Sequence, residues 1–463
     1  MKIKLARIDL PDFGRAPSLP ELPTAVLQAR LQHAADCIRR AKLDVLAVYG
    51  DREHCANLAY LTGLDPRFEE ALLLLRADGR ARLIVGNECM GYLPDPALGL
   101  EVELFQEFSL MGQPRDSSRP LRAILRDCGV GRGARIGCVG WKYFVGTLVP
   151  GGARALEIPA YLADLLRDLS GSAGKVVNAT DLLMDPQDGL RVVNEPEQIA
   201  QFEYAAGVVS DGVLALLRRL RPDAREQDLE RCLDSRGLPL SCHRMLSCGA
   251  KAQRGLASAS ANRARLGDAY TTAFGVYGAL TCRAGAVARN ARDLPPATRS
   301  FYPRLAANYW AVVAAWYESL GVGVRAGDVH RAVERVRDKA LYRFAVNPGH
   351  YLHLDEWVHS PFAAGSRVAL RSGVALQADI IPVSRGPFCY ANAEDGVVLA
   401  DEVLRAELAR RYPAMWRRIC ARRAFMRDTL GIRLDAAVLP LSNTAGWLAP
   451  YALDLRSAFV RTR

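Results

Sequence analysis

The stretch Pro348-Gly349-His350-Tyr351-Leu352-His353-Leu354-Asp355-Glu356-Trp357-Val358-His359-Ser360-Pro361 decides how the rest of the chain is read. It carries three of the seven histidines in 463 residues, behind a Pro-Gly turn signal. Imidazoles crowded with carboxylates after a turn are the raw material of proton transfer or metal ligation, since both need a group that titrates near neutrality beside one that holds charge. The next acids downstream are Asp379, set in the apolar run 373–382, and Glu394, just ahead of Asp395-Gly396-Val397-Val398-Leu399. An acid inside an apolar run is expected to be buried with a partner. His350 is therefore the candidate general base, oriented by Asp379 and Glu394. His359 is the candidate for polarising a carbonyl or protonating a leaving nitrogen, and the two acids can also receive a cationic guanidino or amino group.

Half of the residues are hydrophobic, enough for a large core divided between at least two domains. The net charge is +11, and all but seven of the 61 basic residues are arginine. These arginines are scattered among acids with no basic block interleaved with aromatics, so no nucleic-acid partner is expected. The opening Met1-Lys2-Ile3-Lys4-Leu5-Ala6-Arg7 breaks into charge before a signal core can form, and no apolar run reaches the ~18 residues of a membrane span. The expectation is a cytoplasmic protein with no membrane partner. Eleven cysteines without CxxC pairs read as reduced, mostly buried thiols.

Working back along the chain, apolar residues at helical spacing place an amphipathic helix over 24–41, followed by a strand at 44–49 and a short element, Asn57 to Thr62, closed by Gly63. Runs at 71–76 and 81–85 flank Asp78-Gly79 and predict a hairpin. Gly129-Val130-Gly131-Arg132-Gly133 precedes a strand instead of following one, which is the wrong order for a phosphate loop and the right one for a turn. Glycine-rich and Asp-Pro stretches at 171–174 and 185–189 mark a boundary. A long helix then opens at Glu195-Pro196-Glu197, a shorter one at Arg225, and 240–290 is strand-rich. Helices over 298–320, rich in aromatics, and 328–342 follow, and strands around 366–382 and 394–400 flank the two acids. The aromatic stripe Tyr302, Tyr309, Trp310, Trp316 reads as core.

In their order and spacing these pieces resemble the creatinase, prolidase and methionine aminopeptidase superfamily. The resemblance rests on Asp44 to Val48 and Asn57 to Gly63, on Leu190 to Ile199, Gly267-Asp268, Gly349-His350, His359-Ser360-Pro361, Gly373 to Pro382 and Glu394 to Leu399. It implies an α/β protein with a creatinase-like N-terminal domain over 1–185, a C-terminal pita-bread domain over 190–440 built on a curved, mostly antiparallel sheet, and an extension over 441–463. It also implies a homodimer acting on a small-molecule substrate.

In the metallopeptidases of that superfamily two aspartates, a histidine and two further acids hold two divalent ions. Here the histidine falls on His350 and the late acids on Asp379 and Glu394. The early aspartates fall on Ala273 and near Ala284, and no Asp, Glu or His occurs between Ala269 and Arg292. The chain therefore looks more like the metal-free creatinase branch, with no metal and no cofactor expected, although the general-base histidine of that branch would lie within 249–266, where there is none. His243-Arg244 is the candidate replacement, and Arg67 or Arg283 the candidate clamp for a substrate carboxylate. The resulting expectation is a metal-independent hydrolase or lyase that cleaves a C–N bond in a small amino-acid-like or guanidino-like compound. A single-ion metalloenzyme on His350, Asp379 and Glu394, and a binding scaffold without turnover, stay open as alternatives.

Overall fold

The computed structural model describes residues 2–146 and 148–462. The chain forms two compact units, Leu22–Val192 and a larger one made of Met1–Glu21 with Val193–Arg463. Residues 1–21 thus differ from the sequence expectation, and so does the 441–463 extension. Strand Lys2–Arg7 pairs antiparallel with Ser457–Thr462, which ties both ends of the chain into the larger unit. No helix among the described residues is long and apolar enough to cross a membrane.

The smaller unit holds a six-stranded mixed sheet. Its central strands Val45–Gly50 and Ala71–Arg76 are buried almost throughout, as continuous apolar runs covered on both faces must be. Gly79 turns the hairpin at φ 88. Helix Thr24–Arg40 buries Leu27, Leu31, Ala34 and Ile38, and helix Ala56–Thr62 stops at Gly63 in the left-handed region. Buried Arg191 donates to Asn57 Oδ1 at 2.7 Å, and Asn57 in turn donates to the Gly140 carbonyl at 2.7 Å, so two residues singled out by sequence hold this unit together.

In the larger unit, helix Pro196–Arg219 starts with proline in its first turn and Glu197 beside it, and ends on Arg218 and Arg219, each charge opposing the helix dipole at its end. It packs on the hairpin of Ala269–Val276 and Ala279–Ala286, where a Cβ on Gly212 would stand 3.1 Å from the Phe274 ring. Those strands are the middle of a four-stranded antiparallel sheet that runs from Met245–Cys248 to Asn392–Glu394. A second antiparallel sheet orders His350–Tyr351, Ala375–Gln377, Gly396–Leu399 and Val438–Pro440. The run 366–374 ahead of Ala375 is not a strand, unlike its reading from sequence. The chain passes from one sheet to the other at Asp395, and the candidate residues collect at that crossing.

The aromatic helix Phe301–Ser319 is core, as its pattern indicates, and its polar tips do local positioning. Trp316 Nε1 donates to the Pro348 carbonyl at 2.9 Å, just ahead of His350, and Tyr309 Oη accepts from the Ala393 amide at 3.0 Å, just ahead of Glu394. All eleven cysteines are free thiols, and most are buried.

Candidate active site

Gly349 holds φ 100, and a Cβ there would stand 2.8 Å from the Gln377 carbonyl and 2.9 Å from Trp316 Nε1. Only glycine meets both demands, and the tight approach delivers His350 to the strand pair with Gln377. The imidazole is fully buried and stacks on Trp357 with ring centres 4.2 Å apart. Nδ1 lies 3.1 Å from the Tyr351 carbonyl, which can only accept, so that nitrogen carries a proton. Nε2 forms an ion pair with Glu356 at 2.9 Å and lies 3.9 Å from Asp379 and 3.8 Å from Glu394. His350, Asp379 and Glu394, all buried, each present a donor atom within 4.8 Å of the others.

Two opposed effects set the charge of this cluster. Burial would lower the His350 pKa, but Glu356, Glu394 and Asp379 outweigh it and hold the imidazole well above its ordinary value. Burial pushes the Asp379 carboxyl up to about 7, with His350 opposing the rise. Burial also raises Glu394, and the charge of Asp379 adds to that.

Asp379, Glu394, Glu356 and Trp357 line a cavity of about 250 Å³, and His350, which they contact, is buried next to it without lining it. Strand alternation fixes the wall beside Glu394: Ala273 is registered across from Cys282, and Cys282 across from Glu394, so all three side chains leave the sheet on one face. Met245, Leu280 and Cys242 complete an apolar patch with them. The position matched to the first early aspartate, Ala273, lines this wall, whereas Ala284 is buried in the hairpin and the cavity is met there by Leu280 and Cys282. A pair of ions needs further carboxylates next to that cluster, and apart from Glu394 this wall supplies none. The residues present do not fit a dinuclear centre. The thiols do not substitute for it: burial and the charges of Glu394 and Asp379 push the Cys282 thiol far up, and Cys242 rises to about 12 through burial and Glu356.

Several expected contributors lie elsewhere. Arg283 alternates with Cys282 and so leaves the sheet on the other face, fully buried, where it pairs with Asp395 at 2.7 Å and donates to the carbonyls of Thr444, Cys282 and Glu394. It is not a substrate clamp. His243 and Arg244 precede the strand Met245–Cys248 instead of interrupting it. His243 is exposed with Nε2 2.7 Å from the Leu256 carbonyl, and Arg244 pairs with Glu230 at 3.2 Å, so neither lines the cavity. His359 sits in an antiparallel bridge with Tyr351, its carbonyl accepting from the Tyr351 amide at 2.7 Å, and does not line the cavity either. Arg67 belongs to the smaller unit, where it is exposed at φ 59 and lies over the Tyr92 ring. Glu356 and Trp357 were not singled out as functional residues from sequence. The available signal was an acid and an aromatic in the same loop as His350.

No known family profile matches the chain, and no curated protein matches it in sequence. Solved structures do match. A dipeptidase of Pyrococcus horikoshii OT3 superposes with a TM-score of 0.61 at 18% identity, covering 80% of this chain and 94% of that one. A dipeptidase of Mycobacterium ulcerans gives 0.61 at 20% identity, over 82% and 95%, and an Xaa-Pro dipeptidase of Bacillus anthracis gives 0.58 at 15%, over 82% and 96%. At these identities the likeness is one of fold. The architecture is the pita-bread fold of those structures, carried here on a chain with an apolar patch beside Glu394 of its His-Asp-Glu cluster.

Proposed function

We propose that the protein hydrolyses a C–N bond in a small molecule, using side chains of the larger unit as acid and base. The observation that carries this reading is the convergence of His350, Asp379 and Glu394, the two acids lining a largely apolar cavity beside the buried imidazole. The dipeptidases and prolidases among the structural neighbours support a hydrolase. With Nδ1 directed at a carbonyl and Nε2 at a carboxylate, His350 is set up as an imidazolium, which favours the role of acid over that of base. In this reading Asp379 or Glu394 takes a proton from water as its oxygen adds to the substrate carbon. His350 then protonates the nitrogen as the C–N bond breaks, so one water is consumed and an amine is released.

A second reading is favoured by the spacing of the three donors. Nitrogen and oxygen ligands at ~2.1 Å from one ion stand up to ~4.2 Å apart, and the separations from His350 Nε2 fall inside that. His350, Asp379 and Glu394 would hold the ion, which would supply Lewis acidity to a carbonyl or to water.

The test is amine release from a panel of small amides, dipeptides and guanidino compounds, by protein purified without chelator. Turnover that survives chelation and falls roughly a hundredfold or more in His350→Ala, with the circular dichroism unchanged, is the expected result. Stoichiometric metal with activity lost on chelation overturns the first reading in favour of the second. Absence of turnover across the panel overturns both.

A further inference from the structure

We propose that the ligand of this cavity is an apolar amine without a carboxylate, its ammonium seated against Asp379 and Glu394. The inference rests on the preceding reading for its location and adds the chemistry of the ligand.

The polar end of the cavity holds three carboxylates, Glu356, Asp379 and Glu394, around the single imidazole of His350, and no lysine or arginine among the described residues lines the cavity. The buried guanidinium nearby, Arg283, is matched by Asp395 on the other face of the sheet. The cluster therefore has more acidic groups than cationic partners, and an incoming cation would favour the ionised form of the acids that burial disfavours.

Asp379 gives an independent sign. It is 5% exposed, and its Oδ1 is buried without accepting a hydrogen bond. A carboxylate oxygen left in that state is costly, and a donor carried in by a ligand removes the cost.

The remaining lining is mostly apolar, with Met245, Leu256, Leu280, Val346, Ile381 and Trp357, and its other polar side chains, Thr271, Tyr390 and Asn392, are uncharged. A ligand carboxylate would be desolvated among these side chains with no lysine or arginine in the lining, and the imidazole of His350 is already paired with Glu356. The volume, about 250 Å³, lies below the ~300–1,000 Å³ of drug-sized sites, so the ligand is small.

Three compounds that differ in one group at a time separate the possibilities: 2-phenylethylamine, L-phenylalanine and 3-phenylpropionate, each titrated into the full chain by calorimetry. The amine is expected to bind at least about tenfold more tightly than phenylalanine, and phenylpropionate not to saturate. Asp379→Asn and Glu394→Gln should each weaken the amine roughly tenfold or more, in variants whose thermal melts show a cooperative fold. Ala273→Leu, which narrows the cavity from the sheet face it shares with Glu394, should weaken it as well without touching a charge.

Phenylalanine binding as tightly as the amine, saturable phenylpropionate binding, or amine binding indifferent to all three variants would overturn the proposal. A separate arm titrates Mn²⁺ alone. A stoichiometric Mn²⁺ complex that displaces the amine and is lost in the same two acid variants would assign the acidic cluster to a metal ion and also overturn it. The readout is binding, so hydrolysis of amides can persist if this inference fails, and amine binding can persist if no hydrolysis is found.

Discussion

Replacing Arg283 by methionine separates its two possible roles, because the sequence reading and the structure predict opposite outcomes. As a clamp for a substrate carboxylate, Arg283 would contribute to binding and little to stability. In the structure it is fully buried, paired with Asp395 at 2.7 Å, and donates to the carbonyls of Cys282 and Thr444 at 2.7 Å and of Glu394 at 3.1 Å. Methionine leaves Asp395 charged and buried with only the Ser442 and Thr444 hydroxyls, at 2.6 and 2.9 Å, as donors. Removing one partner of a buried ion pair costs ~3–5 kcal/mol, and three orphaned carbonyls push the value to the upper part of that range. Urea unfolding followed by tryptophan emission is a suitable assay, since five of the six tryptophans, all except Trp141, lie in the larger unit. Asp395→Asn keeps the hydroxyl contacts, so the double variant closes a cycle whose coupling should exceed about 2 kcal/mol. A loss below about 1 kcal/mol for Arg283→Met, or a coupling near zero, would refute the assignment.

Gly349→Ala forces a side chain into φ 100 with a carbonyl 2.8 Å away, and should cost roughly 2–4 kcal/mol or displace His350; a melting temperature and an activity both equal to wild type would contradict this. Trp357→Ala removes the ring stacked on His350 and opens the imidazole to solvent, so ¹⁵N chemical shifts of His350 should change while the far-ultraviolet dichroism does not. Glu226 offers a pH test away from the site. Burial raises its pKa, but hydrogen bonds from Asn262, Ser260, the Cys248 amide and Lys251 outweigh that and hold it below the ordinary value. A depressed pKa stabilises above the unfolded value and is lost as pH falls through the folded one, so Glu226→Gln should be less stable at pH 7 and lose less than wild type on acidification below about 4.5. Equal acid limbs in the two stability profiles would show that the carboxylate is not the source.

What sequence made legible follows from how far each property reaches along the chain. Helix Pro196–Arg219 and the hairpin at Asp78-Gly79 are specified by neighbours within a turn or two, so periodicity and turn chemistry were enough. His350, Asp379 and Glu394 were recoverable for a related reason: each titratable group sits where the local pattern calls for burial, and a buried titratable group needs a partner. Arg283 looked equally promising on those terms, since nothing local distinguishes an arginine that meets a substrate from one that meets Asp395, 112 residues away. The difference lies in register. Cys282 and Arg283 leave opposite faces of one strand, and only the pairing of Cys282 with Glu394 fixes which face is the cavity. Glu394 and Asp395 divide in the same way, one acid toward the cavity and the next toward the buried guanidinium, at the point where the chain leaves one sheet for the other. The two sides of that crossing differ electrostatically: Arg283 neutralises Asp395 and donates to the Glu394 carbonyl, whereas the Glu394 side chain lines the cavity with Asp379, where no arginine or lysine among the described residues offsets the burial that raises both carboxyls.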